Sequence, residues 1–458
     1  MTDISQTFLA KSRIKSADLD HRRKINFNIG KYNAKVPEGK DQFLDVNLVR
    51  EKAKNAKWRA IENLGDQLEQ FERNFTSRGG KVIWAETASQ AIEEIVAICK
   101  QKHCKKLVKS KSMVTEEIHL NAALEKNGIE SVETDLGEYI QQLDGEPPYH
   151  IVTPAMHKSK EDVAKLFHEK LGTSIHLSPE QLTLVARKIL REKYTEAEVG
   201  VTGANFIIGD IGAVAITENE GNARLSCAFP KTHIVVVGIE KMISSITDLG
   251  LFWPLLSTYG TGQKITVYNT IVTGPRQANE PDGPDEMYVV LLDNGRTNIL
   301  QNPRQRESLY CIRCGACLNA CPVYKNIGGH AYGATYSGPI GSVITPNLQG
   351  MEDFKHLSYA SSLCGACTQV CAVKINLHEL LLDNRHQSVE EGLNTFSERM
   401  AWKMWKIASL KRSVMNMGSG HLKNKVVNGL FKGWKQHRSD LDFSPKTFNQ
   451  MWKERYTK

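Results

Sequence analysis

Cys311-Ile312-Arg313-Cys314-Gly315-Ala316-Cys317-Leu318-Asn319-Ala320-Cys321-Pro322 is the stretch on which the reading of this 458-residue chain turns. Its spacing is C-x2-C-x2-C-x3-C-P. A cubic iron–sulfur cluster needs four thiolates around it. Three cysteines at this interval wrap one face of a cube on a tight loop, and the fourth, followed by proline, points away to serve a second cluster. Gly315 lets the backbone come close to the sulfides, where main-chain N–H groups tune the potential. Zinc sites use two separated C-x2-C pairs, and disulfide frameworks suit small secreted chains, so neither explains this run.

A shorter run, Cys364-Gly365-Ala366-Cys367-Thr368-Gln369-Val370-Cys371, reads C-x2-C-x3-C. Set as a repeat of the first, it lacks the leading cysteine, whose place holds Ser361, and the closing proline, replaced by Ala372. In the two-cluster ferredoxin pattern each run lends its last cysteine to the other cluster. Carried over, cluster 1 takes Cys311, Cys314, Cys317 and Cys371, and cluster 2 takes Cys321, Cys364 and Cys367. Cluster 2 is then either a 3Fe-4S cluster or a 4Fe-4S cluster whose remaining ligand is Ser361 or water.

Seven of the ten cysteines lie in these runs. Cys99, Cys104 and Cys227 read as small buried residues or inert thiols, and the usage as a whole indicates a reducing compartment. The first residues have no apolar signal core, and Asp3, Asp18 and Asp20 argue against a transit peptide. No apolar run approaches the ~18 residues of a membrane span. The chain therefore reads as cytoplasmic. The net charge of +8 sits in the tail: residues 401–458 hold 13 Lys and Arg against 3 Asp and Glu, leaving 46 against 48 elsewhere. A basic tail on a balanced body is a poor nucleic-acid footprint.

Residues 1–46 are polar without periodicity and read as an N-terminal arm or extended lead-in. Val49, Ala53, Trp58, Ile61, Leu64, Leu68 and Phe71 predict a helix over 47–75. Strand and helix then alternate: strands near Val82–Trp84, Leu107–Val108 and Ser131–Thr134, a capping box at Thr87–Gln90, a helix over 115–126, and another opening at Ser178-Pro179. Such alternation argues for a mostly parallel sheet covered by helices. Residues 200–239 mix glycines with apolar runs and read as strands with tight turns, because no G-x-G-x-x-G or P-loop pattern stands between strand and helix. His233–Ile239 and Tyr288–Leu292 read as buried strands. Residues 323–352 read as Gly-rich and irregular, with helices expected at 353–362, 377–383 and 395–410.

Lys109-Ser110-Lys111-Ser112-Met113, Glu133-Thr134-Asp135-Leu136-Gly137-Glu138, His150-Ile151-Val152 with Pro154 and His157-Lys158, Gly203-Ala204-Asn205-Phe206 and Asp293-Asn294-Gly295-Arg296 together resemble the lactate utilization (LUD) domain. With the cysteine runs and the tail Phe431-Lys432-Gly433-Trp434 and Trp452, nearly the full chain resembles the lactate utilization protein B family, whose second run is also C-x2-C-x3-C. The resemblance implies an α/β LUD domain, with a mostly parallel sheet of the sugar-phosphate isomerase and CoA-transferase type. A small α-helical ferredoxin domain and a helical basic C-terminal region would follow. The expected division is 1–46 arm, 47–300 LUD domain, 301–400 iron–sulfur domain and 401–458 tail.

The function the resemblance implies is an iron–sulfur electron-transfer subunit of a system that oxidises L-lactate to pyruvate with partner subunits A and C. The chain carries no flavin or nicotinamide fingerprint, so hydride removal would happen on a partner, and catalytic residues are left unassigned. The alternative is that the LUD domain is itself an enzyme or binding module for a small carboxylate or phosphate, with Lys109, Lys111, His150, His157 and Lys158 as candidate anion binders. Glu218 and Glu220 receive no nucleophile role, because fold analogy does not fix a site. In the tail, Trp402, Trp405, Trp434 and Trp452 among Lys and Arg suit a helix that packs on the cluster domain, docks on a partner, or lies peripherally on the inner membrane face near quinone.

Overall fold

The computed structural model describes residues 3–430 and 438–456. Its strands, in chain order, are β1 Lys81–Ala85, β2 Lys106–Lys109, β3 Glu130–Glu133, β4 Val199–Thr202, β5 Phe206–Ile208, β6 Ala213–Glu218, β7 Thr232–Gly238, β8 Met242–Ile243, β9 Tyr268–Val272 and β10 Glu286–Leu292. Six form one sheet in the order β1-β10-β7-β4-β2-β3, with every pairing parallel. This is the mostly parallel sheet the alternation predicts. β7 lies inside it and is buried along its whole length, which is why it reads as an unbroken apolar run. Its side chains alternate between two cores. Ile234 and Val236 pack with Ile95, Leu107 and Val290 on one face, and Val235 and Val237 with Phe71, Phe75 and Val289 on the other.

A second sheet, β8-β5-β6-β9, carries the Gly-rich segment. β6 pairs antiparallel with β5 and β9, and β8 pairs parallel with β5. The glycines mark close approach, as expected of strand packing. A β-carbon on Gly200 would overlap the Ser226 carbonyl oxygen of the helix Asn222–Ala228. Because the obstacle is backbone, Gly200→Ala is expected to cost about 2 to 3 kcal/mol, the usual price of overpacking. Thermal melting of the protein purified without oxygen checks this, and an unchanged midpoint would contradict it.

Three local expectations change. Residues 1–46 are not an extended lead-in. They form the helices Asp3–Ala17 and Leu19–Lys40, with Phe8, Ile25 and Ile29 buried among the residues around the cysteine loops. The helix expected over 47–75 breaks into Val46–Glu62 and Leu64–Thr76, with Asn63 between them. Residues 323–352 are not irregular throughout, because Gly338–Gln349 is a helix with Pro339 in its first turn. Its glycine is a packing residue: a β-carbon on Gly341 would overlap the Tyr336 carbonyl oxygen.

Residues 1–388 pack as one compact unit and 389–458 as another. The second unit holds the helices Phe396–Leu410, Arg412–Met415, Gly420–Leu430 and Phe448–Tyr456. Trp402 and Trp405 are 63% and 62% exposed; Trp434 lies outside the described residues. Among the described residues no helix is long and apolar enough to cross a membrane.

Candidate iron–sulfur centres and an adjoining cleft

The two cysteine runs fold as the same loop, 50 residues apart. In the first, Arg313 and Gly315 have left-handed backbone at φ 60° and 80°; in the second, Leu363 and Gly365 do so at 51° and 77°. Each loop then enters a short helix, Ala316–Ala320 and Ala366–Gln369. The left-handed residues turn main-chain N–H groups inward. The Arg313 N–H points at Cys311 Sγ at 3.4 Å, and the equivalent Leu363 N–H donates to Ser361 Oγ at 3.1 Å. A serine oxygen thus stands where the first loop has its leading sulfur.

Cys311, Cys314, Cys317 and Cys371 line one small hollow, about 380 Å³ counting the space at its mouth, walled by Ile312, Ile340, Ile375 and Leu377. Cys371 comes from the second run to complete this group. Burial, and then the nearness of Cys311, pushes the Cys314 thiol up to about 12. Burial followed by repulsion from Cys314 does the same for Cys371, and Cys317 is pushed well up for the same reasons. Four sulfurs facing a small apolar cavity suit a cationic iron core, which stabilises thiolates that burial alone forbids. The Ile375 N–H also points at Cys371 Sγ, at 3.3 Å.

Cys321, Cys364 and Cys367 form the second group. Burial raises the Cys367 thiol to about 11, with Cys321 as the next cause. Cys321 is raised by burial against opposing N–H groups of Tyr324 and Val323, and the Tyr324 N–H lies 3.5 Å from its sulfur. Cys364 is exposed, and the Ala366 N–H lowers its pKa. The first group is therefore the more enclosed, and the second reaches the surface at Cys364.

A knot of buried charge joins the sheet to the first loop. After β10, Asn294 and Gly295 turn the chain with left-handed backbone and deliver Arg296 into the interior. Arg296 donates to Glu117 through both Nη atoms, at 2.9 and 2.8 Å, and to Glu240 through Nε at 2.5 Å. The Tyr336 hydroxyl donates to Glu117 at 2.6 Å, and Arg313 lies over the Tyr336 ring, 4.6 Å from its centroid. Arg313 Nη2 is 3.5 Å from Glu240.

Beside this knot is a cleft of about 1290 Å³, counting the space at its mouth. Lys111, Asp135, Asn205, Glu218, Glu220 and Lys241 line it from the LUD side, and Arg313, Cys314 and Tyr336 from the cluster side. Of the five candidate anion binders, only Lys111 lines it. Lys109 is buried between Glu133 at 2.8 Å and Glu116 at 3.0 Å. Burial alone would lower its pKa, but these carboxylates outweigh it and hold the ammonium charged. His150 accepts the Val152 and Thr153 N–H groups at Nδ1, and burial lowers it to about 3, so it is neutral. Lys158 pairs with Asp144 and Glu146. His157 is 3.0 Å from Glu146 and stacked on Tyr149. With His330 these two offer donor atoms within 4.8 Å of one another. His330 is already committed to the Pro147 carbonyl, and Lys158 sits 3.0 Å from the same Glu146 oxygen. Lys241 and Arg313 were missed as cleft residues. The available signal was a Glu-Lys pair directly behind the apolar run of β7.

The LUD domain family matches residues 68–292, and the 4Fe-4S dicluster domain family matches 307–375. A parallel α/β sheet with two interleaved cysteine loops packed against it therefore defines a LUD-domain protein with a dicluster ferredoxin-type module. Lactate utilization protein B of Bacillus velezensis is 49% identical over 81% of this chain and 78% of its own length. The Bacillus subtilis protein of that name is 50% identical over 78% and 75%, and that of a Geobacillus species 50% over 78% and 76%. The chain belongs to the lactate utilization protein B family. A solved structure of a DUF162 family protein from Deinococcus radiodurans, 12% identical, covers 50% of this chain and 98% of its own at a TM-score of 0.29, too low to inform the fold.

Proposed function

We propose that this chain is the iron–sulfur electron-transfer subunit of a lactate-utilization system, working beside A- and C-type subunits in the oxidation of L-lactate to pyruvate. The observation that carries this reading is the exchange of last cysteines between the runs, which gathers two sulfur groups from one pair of loops. The seven cysteines are the proposed ligands, and each cluster, when bound, takes up and releases single electrons. The chain's own residues enclose the first group among isoleucines, aim N–H groups at its sulfurs, and leave the second at the surface where a partner can approach. No dinucleotide fingerprint accompanies them, so the two-electron chemistry belongs to a partner. The basic tail, with its exposed tryptophans, is proposed to contact partner subunits. Contact with the inner membrane face, near quinone, is the other outcome to test, by vesicle flotation of the full chain.

The test uses protein purified without oxygen, alone and with whatever copurifies from lactate-grown cells. Lactate is expected to bleach the cluster absorbance only when partners are present. Dye reduction by the chain alone with lactate, or no bleaching with partners, would contradict the reading.

The second group is proposed to hold a 4Fe-4S cluster with Ser361 Oγ in the fourth place, since the Leu363 N–H orients that oxygen as its counterpart orients Cys311. Ser361→Ala is expected to convert it to the three-iron form, which is paramagnetic when oxidised, whereas Ser361→Cys keeps four irons. Electron paramagnetic resonance of the oxidised protein checks this, and identical spectra for the Ser361→Ala and unchanged proteins would exclude serine ligation.

A further inference from the structure

The two cysteine loops share a backbone but not a charge. Where the first loop places Arg313 in left-handed backbone, the second places Leu363. The Arg313 N–H points at Cys311 Sγ, and its Nη1 is buried without a hydrogen-bond partner. Lys241 joins it from the sheet side. It ends the short turn Ile239–Lys241 behind β7 and is only 6% exposed, yet its ammonium makes no hydrogen bond or ion pair among the described residues. Lys57, from the helix Val46–Glu62, completes the set. It is buried and donates to the Glu240 and Met242 carbonyls, at 2.6 and 2.9 Å, on either side of Lys241. That grip fixes the turn that carries Lys241. Lys57 borders neither the cleft nor the cysteine hollow, so a ligand in the cleft does not account for it.

Charge does not balance around this point. Glu117 and Glu240 are both taken by Arg296. Against Lys57, Lys241 and Arg313 that leaves only the 3.5 Å approach of Arg313 to Glu240, so four cations meet two carboxylates. Burial brings Lys57 down to about 7 and Lys241 to about 8, with Lys241 and Arg313 respectively as the next cause, while Glu240 and Cys311 act in the opposite sense on both. Burial would lower Arg313 too, but Cys311 leads the groups that outweigh it. Interior cations without partners are costly unless an anion lies beside them, and the sulfur common to all three is Cys311. An iron–sulfur centre held by four thiolates is anionic, its reduced form more so, and its potential follows the net charge around it. Fixed cations in a low-dielectric interior therefore favour the reduced form. On the second group the cation that acts is Lys325, on Cys321, and Cys364 is exposed.

We propose that Lys57, Lys241 and Arg313 are positioning residues for electron transfer, a positive collar that raises the reduction potential of the centre held by the first cysteine group and leaves the second centre unaffected. The collar rests on the electron-transfer reading and adds to it the residues that set the two centres apart.

The experiment is a potentiometric titration followed by electron paramagnetic resonance on full-length protein prepared without oxygen, comparing the unchanged chain with Lys241→Gln and Lys241→Arg. Iron content, melting and binding of inorganic phosphate are measured on the same samples. In Lys241→Gln the centre that Cys371→Ala removes is expected to shift about tenfold toward its oxidised form at a given potential, a fall of about 59 mV for one electron. The other centre is expected to stay where it was. Lys241→Arg keeps the charge and is expected to restore the native value, whereas a merely structural role would not sort the two variants by charge. Should Lys241→Gln fail to load iron, Arg313→Leu is the second variant, because Leu363 shows that leucine suits this backbone, and the same fall is expected there. Iron-loaded variants with an unchanged potential, or with an equal fall at both centres, overturn the collar and leave the relay standing. Saturable phosphate binding that Lys241→Gln abolishes without any change of potential overturns it too and assigns the cations to the cleft. Unchanged protein that carries no iron overturns the electron-transfer reading itself, and the collar with it.

Discussion

Cys317→Ala is expected to remove the iron of the first group, leaving about half of the iron and sulfide of the unchanged protein. Cys317 is buried and packs with Ile312, Leu318 and Ile340 in the core that also holds the N-terminal helices. No water can replace its sulfur without filling an apolar wall. Because ligand and fold form together, lost metal is lost folding energy. Hydrogen exchange over residues 307–375 should therefore accelerate far more than in any packing variant. The parallel strands, whose two cores are apolar on their own, should keep most of their protection. Iron and sulfide analysis with exchange mass spectrometry checks both, and unchanged iron would remove Cys317 from the ligand set.

Arg296→Met is expected to cost about 3 to 5 kcal/mol, the usual penalty for leaving buried charges without their partner. Methionine keeps much of the volume, so the effect isolates the charge. In the native protein burial would raise the Glu240 carboxyl, but Arg296 and Lys241 outweigh it and bring it down to about 2; Glu117 is lowered by the same contest with Arg296. A carboxylate lowered in the folded state stabilises above its unfolded value, near 4.5, and loses that contribution as pH falls toward its folded value. Without Arg296 the sign reverses for Glu117. Glu117, left with only the uncharged Tyr336 and Asn294 donors, is raised by burial and takes up a proton on folding, so acidification favours the folded variant, while Glu240 keeps Lys241 and Arg313. The melting difference between the two proteins should narrow from about pH 8 to about pH 5, a window in which the native pair stays ionised. A constant or widening difference would show that Arg296 holds the fold by packing alone.

What could be read from the chain was whatever is local. The cysteine spacing is set by one loop, and β7 and β10 announce themselves as apolar runs because a strand inside a parallel sheet is buried on both faces. The helix Leu19–Lys40 was missed because its buried stripe is His21, Ile25 and Ile29, with half-buried Tyr32 beside it. Only two of those four are aliphatic, spaced four apart on an otherwise polar helix. The helix Gly338–Gln349 was missed because its glycines and prolines argue against helix by propensity, whereas contact with the Tyr336 backbone requires a small residue there. Of the cleft only single residues could be read, Lys111 among the candidate anion binders. Lys111, Glu220 and Lys241 are brought together by strand order and Arg313 by the packing of the cysteine loop, and nothing near any of them in sequence marks the others. The Asp293-Asn294-Gly295-Arg296 motif was visible, but its physical purpose, an arginine bridging Glu117 and Glu240 under the cluster loop, is tertiary.

Seven cysteines from two loops are proposed to hold a pair of redox clusters. The most direct test is iron and sulfide counting with a potentiometric titration, followed by electron paramagnetic resonance, on full-length protein prepared without oxygen. About eight irons per chain are expected, four to each cluster, and two one-electron centres. Of these, Cys371→Ala should abolish the one that Cys311→Ala abolishes, and Cys321→Ala the one that Cys367→Ala abolishes. Iron-free protein, or a Cys371→Ala variant that loses the same centre as Cys364→Ala, would contradict it.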